Sequence, residues 1–122
     1  MGQSFPDGHP IFQQVAKRIT DDIVNGSLAE GDQVPSTNQF AQHYQINPAT
    51  AAKGIKRLVD KGILFKKRGI GMFVAEGARV TLIHERREEF QEDYITPMLE
   101  EAKQLELTIE ELKAMIERGG QS

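Results

Sequence analysis

The chain has no cysteine, which excludes a disulfide framework and any thiolate metal site. No uninterrupted apolar stretch approaches the roughly 18 residues that a membrane-spanning helix needs. The opening residues MGQSFPDGHP lack the basic region and apolar run of a secretory signal. A soluble cytoplasmic protein with no membrane partner is the expectation. Catalytic patterns are missing too. His9, His43 and His84 stand far apart and make no H-E-x-x-H or similar ligand spacing. No serine sits in a nucleophile elbow, and GIGMF has too few glycines for a dinucleotide loop. No enzyme, catalytic residue, metal or cofactor is therefore assigned. With 122 residues the chain holds one small domain and an appendage, so burial of its surface would gain from a partner.

An overall excess of positive charge is also lacking: the formal net charge is −3. The average conceals a division. Residues 1–78 carry nine Lys/Arg against seven Asp/Glu, and residues 79–122 carry six against eleven. Between Lys53 and Arg68 seven cations face one anion, Asp60. A local patch of this kind, rather than the total, is what a phosphate backbone meets. An isolated lysine run is usually just a solvated face, so placement has to decide.

Residues 1–9 read as a flexible tail rich in Gly, Pro, Ser and Asp. Pro10 suits a first helical position, and Ile11, Val15, Ile19 and Ile23 recur every fourth residue, predicting an amphipathic helix over Pro10 to Asn25. Gly26 stops it, and SLAEGDQVP is a connection. STNQFAQHY reads as a short helix with a Ser36/Gln39 capping box and Phe40 and Ala41 turned inward. Asn47 then caps a helix with Pro48 in its first turn. Ala51, Ile55, Leu58 and Val59 form its apolar stripe, Gly62 ends it, and Ala49, Thr50, Lys53 and Arg57 lie on the opposite face. The pair reads as a helix-turn-helix, a weak signal alone. ILFKK and MFVA then pair as strands around RGIG, where Gly69 and Gly71 permit positive φ. A helix-turn-helix followed at once by a basic-tipped hairpin is a winged helix, which is far more specific than either half.

From about Arg79 the chain is charged and helical, with Ile83, Phe90, Tyr94, Met98, Ala102 and Leu105 in a broken stripe. Pro97 is expected to kink or restart that helix, with Thr96 as cap. A last helix begins at the Thr108/Glu111 capping box and ends at Gly119-Gly120.

The segment PIFQQVAKRITDDIVNGSLAEGDQVPSTNQFAQHYQINPATAAKGIKRLVDKGILFKKRGIGMFV resembles the DNA-binding domain of the GntR family of bacterial transcription regulators. The motifs G-D-x-x-P-S, F-A, I-N-P-x-T, L-x-x-x-G-I-L and R-G-x-G-x-F-V carry the resemblance, from about Pro10 to Val74. The acidic tail resembles that of the small YtrA-type subfamily, in which it mediates dimerisation. Two positions depart from the family pattern. Asn38 stands where an arginine used for DNA contact is usual, and Ala52 where many relatives are basic. Both departures reduce phosphate and base contact.

The resemblance implies a mostly α fold with a small β-hairpin: a winged helix-turn-helix domain over 10–77, a two-helix dimerisation segment over 78–118 and a flexible end over 119–122. The implied function is a sequence-specific DNA-binding transcription regulator, a repressor that binds a pseudo-palindromic operator on double-stranded DNA as a homodimer. The DNA-binding candidates are Ser36, Thr37, Asn38, Asn47, Ala49, Thr50, Lys53, Arg57, Lys66, Lys67, Arg68, Gly69 and Gly71. The dimerisation candidates are Ile83, Phe90, Tyr94, Met98, Leu105 and Leu112. No segment is long enough for a dedicated effector domain, so the expectation is either a small-molecule effector, of unknown identity, in a modest pocket between the tail and the winged domain, or no metabolite ligand at all. The competing class is a winged-helix module that binds another protein, or an anti-repressor, since fold alone does not choose between these uses.

Overall fold

The computed structural model describes residues 10–120; the expected N-terminal tail 1–9 and residues 121–122 of the expected flexible end 119–122 lie outside them, while Gly119 of that end is the last residue of a helix. Helix α1 (Ile11–Val24) follows from the four-residue spacing: Val15, Ile19 and Ile23 are buried. Ile11, first member of the same stripe, is 44% exposed because it lies at the helix end beyond the core. Pro10 keeps an extended ψ of 142° and precedes the helix as its cap residue, one position earlier than expected.

Helix α2 (Thr37–Tyr44) starts on the anticipated capping box: Ser36 Oγ accepts from the Gln39 N–H at 3.1 Å, and Gln39 Oε1 accepts from the Ser36 N–H at 2.9 Å. It ends at Gln45, which adopts the left-handed conformation (φ 55°). The Ile46 N–H then returns to the Ala41 carbonyl, a Schellman closure. Two residues later Asn47 caps helix α3 (Pro48–Asp60), its Oδ1 accepting from the Ala49 N–H at 2.8 Å. Ala51, Gly54, Ile55 and Leu58 turn inward. Helix α3 packs on α1, on α2 and on strand β1 (Leu64–Lys67).

Strand β1 pairs antiparallel with β2 (Gly71–Val74) in the register Leu64↔Val74 to Lys67↔Gly71. Period-2 alternation puts Leu64 and Val74 in the core, while the ring pair Phe65–Phe73 and Lys67 share the other face. The connection between α1 and α2 holds a feature that the sequence did not suggest. Residues 31–34 lie along β2, with N–H donation from Gly31 to the Val74 carbonyl, from Val74 to the Asp32 carbonyl and from Val34 to the Met72 carbonyl, at 2.8–2.9 Å. The hairpin is thereby braced on its second edge, which a lone two-stranded ribbon needs.

Helix α4 (Ala78–Phe90) begins in this core. Ala78 and Leu82 are buried within it, and Arg79 Nε donates to the Val24 carbonyl at 3.1 Å. The chain divides into two compact units, residues up to Ile83 and residues from His84.

In the second unit the helix does not restart at Pro97. A five-residue π-helical stretch, Gln91–Ile95, leads directly into α5 (Thr96–Gln104). The Thr96 N–H donates to the Gln91 carbonyl five residues back, and Ile95 keeps helical angles. Thr96 is therefore inside the helical path and does not cap. A proline ring would collide with the carbonyl four residues earlier, and the wider turn relieves that collision. Glu106, in the left-handed conformation at φ 58°, ends α5, and the Leu107 N–H returns to the Ala102 carbonyl.

Helix α6 (Ile109–Gly119) opens on the anticipated capping box. Glu111 accepts there from the Thr108 N–H, which with the Thr108 side chain holds its carboxyl below the usual carboxylate range. Ala102 and Leu112 are buried, whereas Phe90, Tyr94, Leu99, Leu105, Ile109, Met115 and Ile116 are exposed. Of the expected dimerisation residues, Phe90, Tyr94 and Leu105 thus face outward, Met98 is half-buried and Leu112 is covered within one chain. Ile83 is half-buried at the end of the first unit.

Candidate nucleic-acid interface

Three elements of the first unit carry the candidate residues. At the start of α2, Ser36 is engaged in its own capping box, so its hydroxyl already has a partner. The amides of Thr37 and Asn38 belong to a first helical turn, whose N–H groups have no intrahelical acceptor and favour anions. Asn38 is exposed there and brings no charge.

On α3, burial of Ala51, Gly54, Ile55 and Leu58 turns Ala49, Ala52, Lys53, Lys56 and Arg57 to solvent, with Thr50 half-buried at the margin. Lys53 and Arg57 share one support. Lys53 Nζ stands 4.1 Å from the centroid of the Phe12 ring, and Arg57 Cζ 5.9 Å from the same ring. Cation–π contacts at exposed sites are worth about 0.5–1 kcal/mol. That is enough to bias two long side chains toward one orientation and too little to prevent their release to a phosphate or a base edge. Phe12 lies on α1, 41 positions before Lys53, and nothing in the local pattern reveals the pairing. Lys56, not among the sequence candidates, also lies on the exposed face, where it is paired with Asp60 at 3.0 Å.

The hairpin is joined to α3 through Lys61, Gly62 and Ile63, with the Ile63 N–H closing on the Leu58 carbonyl at 2.9 Å. Lys66, Lys67 and Arg68 are all exposed, but their settings differ. Lys67 leans back over the aromatic pair, 4.4 Å from the Phe73 centroid and 5.8 Å from that of Phe65. Arg68 begins the turn itself, in which the Ile70 N–H returns to the Lys67 carbonyl at 2.9 Å.

The two wing glycines differ as well. Gly69 (φ 78°) has open space where a Cβ would project, so the backbone can approach another molecule there. At Gly71 the backbone holds φ 146°, a conformation that L side chains rarely adopt, and the tip of the exposed Gln33 side chain, Nε2, lies 2.5 Å from where a Cβ would project.

Among the described residues no group of three or more His, Asp or Glu side chains is placed to hold a metal ion. No helix among them is long and apolar enough to cross a membrane. His43 is exposed and meets the Tyr44 ring edge-on at 4.6 Å.

The family described as bacterial regulatory proteins, gntR family, matches residues 11–74. Two relatives from Bacillus subtilis are similar over most of the chain. One, the uncharacterized HTH-type transcriptional regulator YhcF, is 30% identical over 92% of this chain and 91% of its own length. The other, the HTH-type transcriptional repressor YtrA, is 31% identical over 79% of this chain and 68% of its own length. A crystal structure described as a putative transcriptional regulator of the GntR family from Bacteroides thetaiotaomicron superposes with a TM-score of 0.75. It is 33% identical and covers 91% of this chain and 96% of that one.

Proposed function

The chain belongs to the gntR family of bacterial regulatory proteins and is a DNA-binding transcription regulator, not an enzyme; from that premise we propose that it is a cytoplasmic repressor acting as a homodimer on a pseudo-palindromic operator. In this reading the exposed side of α3 enters the major groove, where Lys53, Arg57 and Thr50 meet base edges and phosphates. The first turn of α2 and the wing turn at Arg68-Gly69 hold the backbone beside it. The observation that carries the reading is the convergence of Lys53 and Arg57 on the Phe12 ring. It keeps two cations on the exposed side of the helix that follows the Asn47-Pro48 start. The repressor assignment draws on YtrA, which bears that description.

The test is a fluorescence-anisotropy series on duplexes from the DNA upstream of the protein's own gene and on scrambled duplexes, at two salt concentrations. Arg68→Ala is expected to weaken binding to all duplexes by similar factors and to reduce the slope of log K against log salt by about 0.9, one phosphate's worth. It is a cleaner probe than Lys67→Ala, which also strips the cation from the Phe65–Phe73 pair. Lys53→Ala is expected to cost about 1–3 kcal/mol on the operator and little on scrambled DNA if it makes a bidentate base contact. If both variants leave both affinities unchanged, this face does not hold DNA, and a protein-binding role replaces it.

Supplying the arginine that the family pattern implies at position 38 is the converse experiment. Asn38→Arg places a guanidinium in the first turn of α2, next to amides that already favour an anion. Affinity for operator and scrambled DNA should rise together, by severalfold, with the salt slope steeper by about 0.9. A gain confined to the operator would mean that position 38 reads a base instead.

A further inference from the structure

Gln33 belongs to none of the residue sets assigned to DNA or to dimerisation, yet it spans from the root of the wing to its tip. Its backbone lies opposite Phe73 on the second edge of β2. The flanking bonds, Val34 N–H to the Met72 carbonyl and Val74 N–H to the Asp32 carbonyl, are both 2.9 Å. From that edge the side chain runs along the hairpin, and Nε2 donates to the Ile70 carbonyl at 3.0 Å. The amide lies over Gly71 in the space a side chain would take, 2.5 Å from where a Cβ would stand. Ile70 is therefore tied on both sides, its N–H to the Lys67 carbonyl and its carbonyl to Gln33. Three residues beyond Gln33, past Pro35, Ser36 caps α2. One short segment thus couples the start of the helix-turn-helix to the orientation of the Arg68-Gly69 turn.

We infer that Gln33 is a positioning residue for DNA binding: it holds the wing turn in its binding orientation before DNA arrives, so that Arg68 reaches a phosphate without first being ordered. The inference rests on the reading of the wing as a DNA contact. The side chain is solvent-exposed and the hydrogen bond is neutral, so its removal costs the fold little. Its worth lies in preorganisation, since a turn left mobile must be immobilised on binding.

Gln33→Met keeps the length of the side chain and removes the donor. Amide ¹⁵N order parameters at Arg68 to Gly71 should fall from about 0.85 toward 0.6 or below, with little change in melting temperature. Affinity for operator and scrambled DNA should drop together by about 3- to 10-fold. In an Arg68→Ala background the same substitution should change affinity by less than about twofold, because the contact it positions is gone. A rigid wing turn in Gln33→Met overturns the inference. So does unchanged affinity in a protein that Arg68→Ala weakens, and that pattern leaves the wing reading intact. If Arg68→Ala is itself without effect, the wing reading fails and takes the DNA role of Gln33 with it.

Discussion

Gly54→Ala should lower the melting temperature of the protein by roughly 10 °C, although alanine is the better helix former. Helices α1 and α3 approach closely at this point: a Cβ on Gly54 would lie 2.6 Å from the Phe12 carbonyl oxygen and 2.9 Å from both Cβ and Cγ1 of Val15. None of these atoms is the end of a flexible chain. Phe12 contributes backbone, and Val15 is fully buried among Ile19, Ile23 and Ile55. The helices must therefore move apart. Overpacking of this kind costs about 1–3 kcal/mol, against a propensity gain of about 1 kcal/mol for replacing a helical glycine. A collision with backbone belongs at the upper end of the range, and a net loss near 2 kcal/mol corresponds to roughly 10 °C for a domain of this size. The displacement also lifts Lys53 and Arg57 off Phe12, so operator affinity should fall with stability. Thermal unfolding followed by circular dichroism checks the first effect. Gly119→Ala is the control, because that glycine has open space around its Cβ position and the substitution should be neutral or mildly stabilising. A melting temperature that rises in Gly54→Ala would mean that propensity wins and that the two helices are not in rigid contact.

Gly54 also marks where reading the sequence stops. The capping boxes at Ser36/Gln39 and Thr108/Glu111 and the Asn47-Pro48 start were legible because each is closed within four residues. The winged helix was legible because its stripes and its glycine-flanked turn come in a fixed order. Contacts between distant segments left no such trace. Nothing near Gly54 says that Phe12 lies across from it. Nothing near Gln33 says that its amide reaches Ile70, 37 residues on. The brace along β2 spans too few residues, just before Pro35, for a period of two to show. The candidate interface divides in the same way. The type and order of the cations could be read from the chain, while their settings, Lys53 over Phe12, Lys67 over Phe73 and Lys56 on Asp60, are tertiary facts. At Pro97 a local rule did apply, but it allowed two outcomes. The backbone widened into a π turn instead of breaking, which a proline alone does not decide.

Ending the chain after Ile83 should convert the proposed homodimer into a folded monomer and reduce operator affinity by about 100-fold or more. The fold should survive, since every member of the buried core cluster lies between Val15 and Leu82. The cut must spare Ala78 and Leu82, because both are buried there. What is removed cannot form a core of its own. Ala102 and Leu112 are its buried apolar residues, while Phe90, Tyr94, Leu105, Ile109 and Ile116 are each more than half exposed. So much apolar surface on a short helical segment is the mark of an interface, and a second copy of the same acidic chain is the occupant proposed. In a two-fold dimer the paired α3 helices would address half-sites about 34 Å apart, or a multiple of that. Holding two reading heads on one duplex multiplies affinity by about 10²–10⁴ through effective concentration alone. The loss on truncation should therefore be large on the operator and small on scrambled DNA. Sedimentation equilibrium at tens of micromolar and anisotropy on the two duplexes measure the two halves of the claim. Phe90→Glu and Ile116→Glu in the full chain, one in each helical segment of the tail, should give the monomer without removing any residue. A truncated chain that still sediments as a dimer would move the interface to the winged domain. The exposed side chains of the tail would then await a different partner.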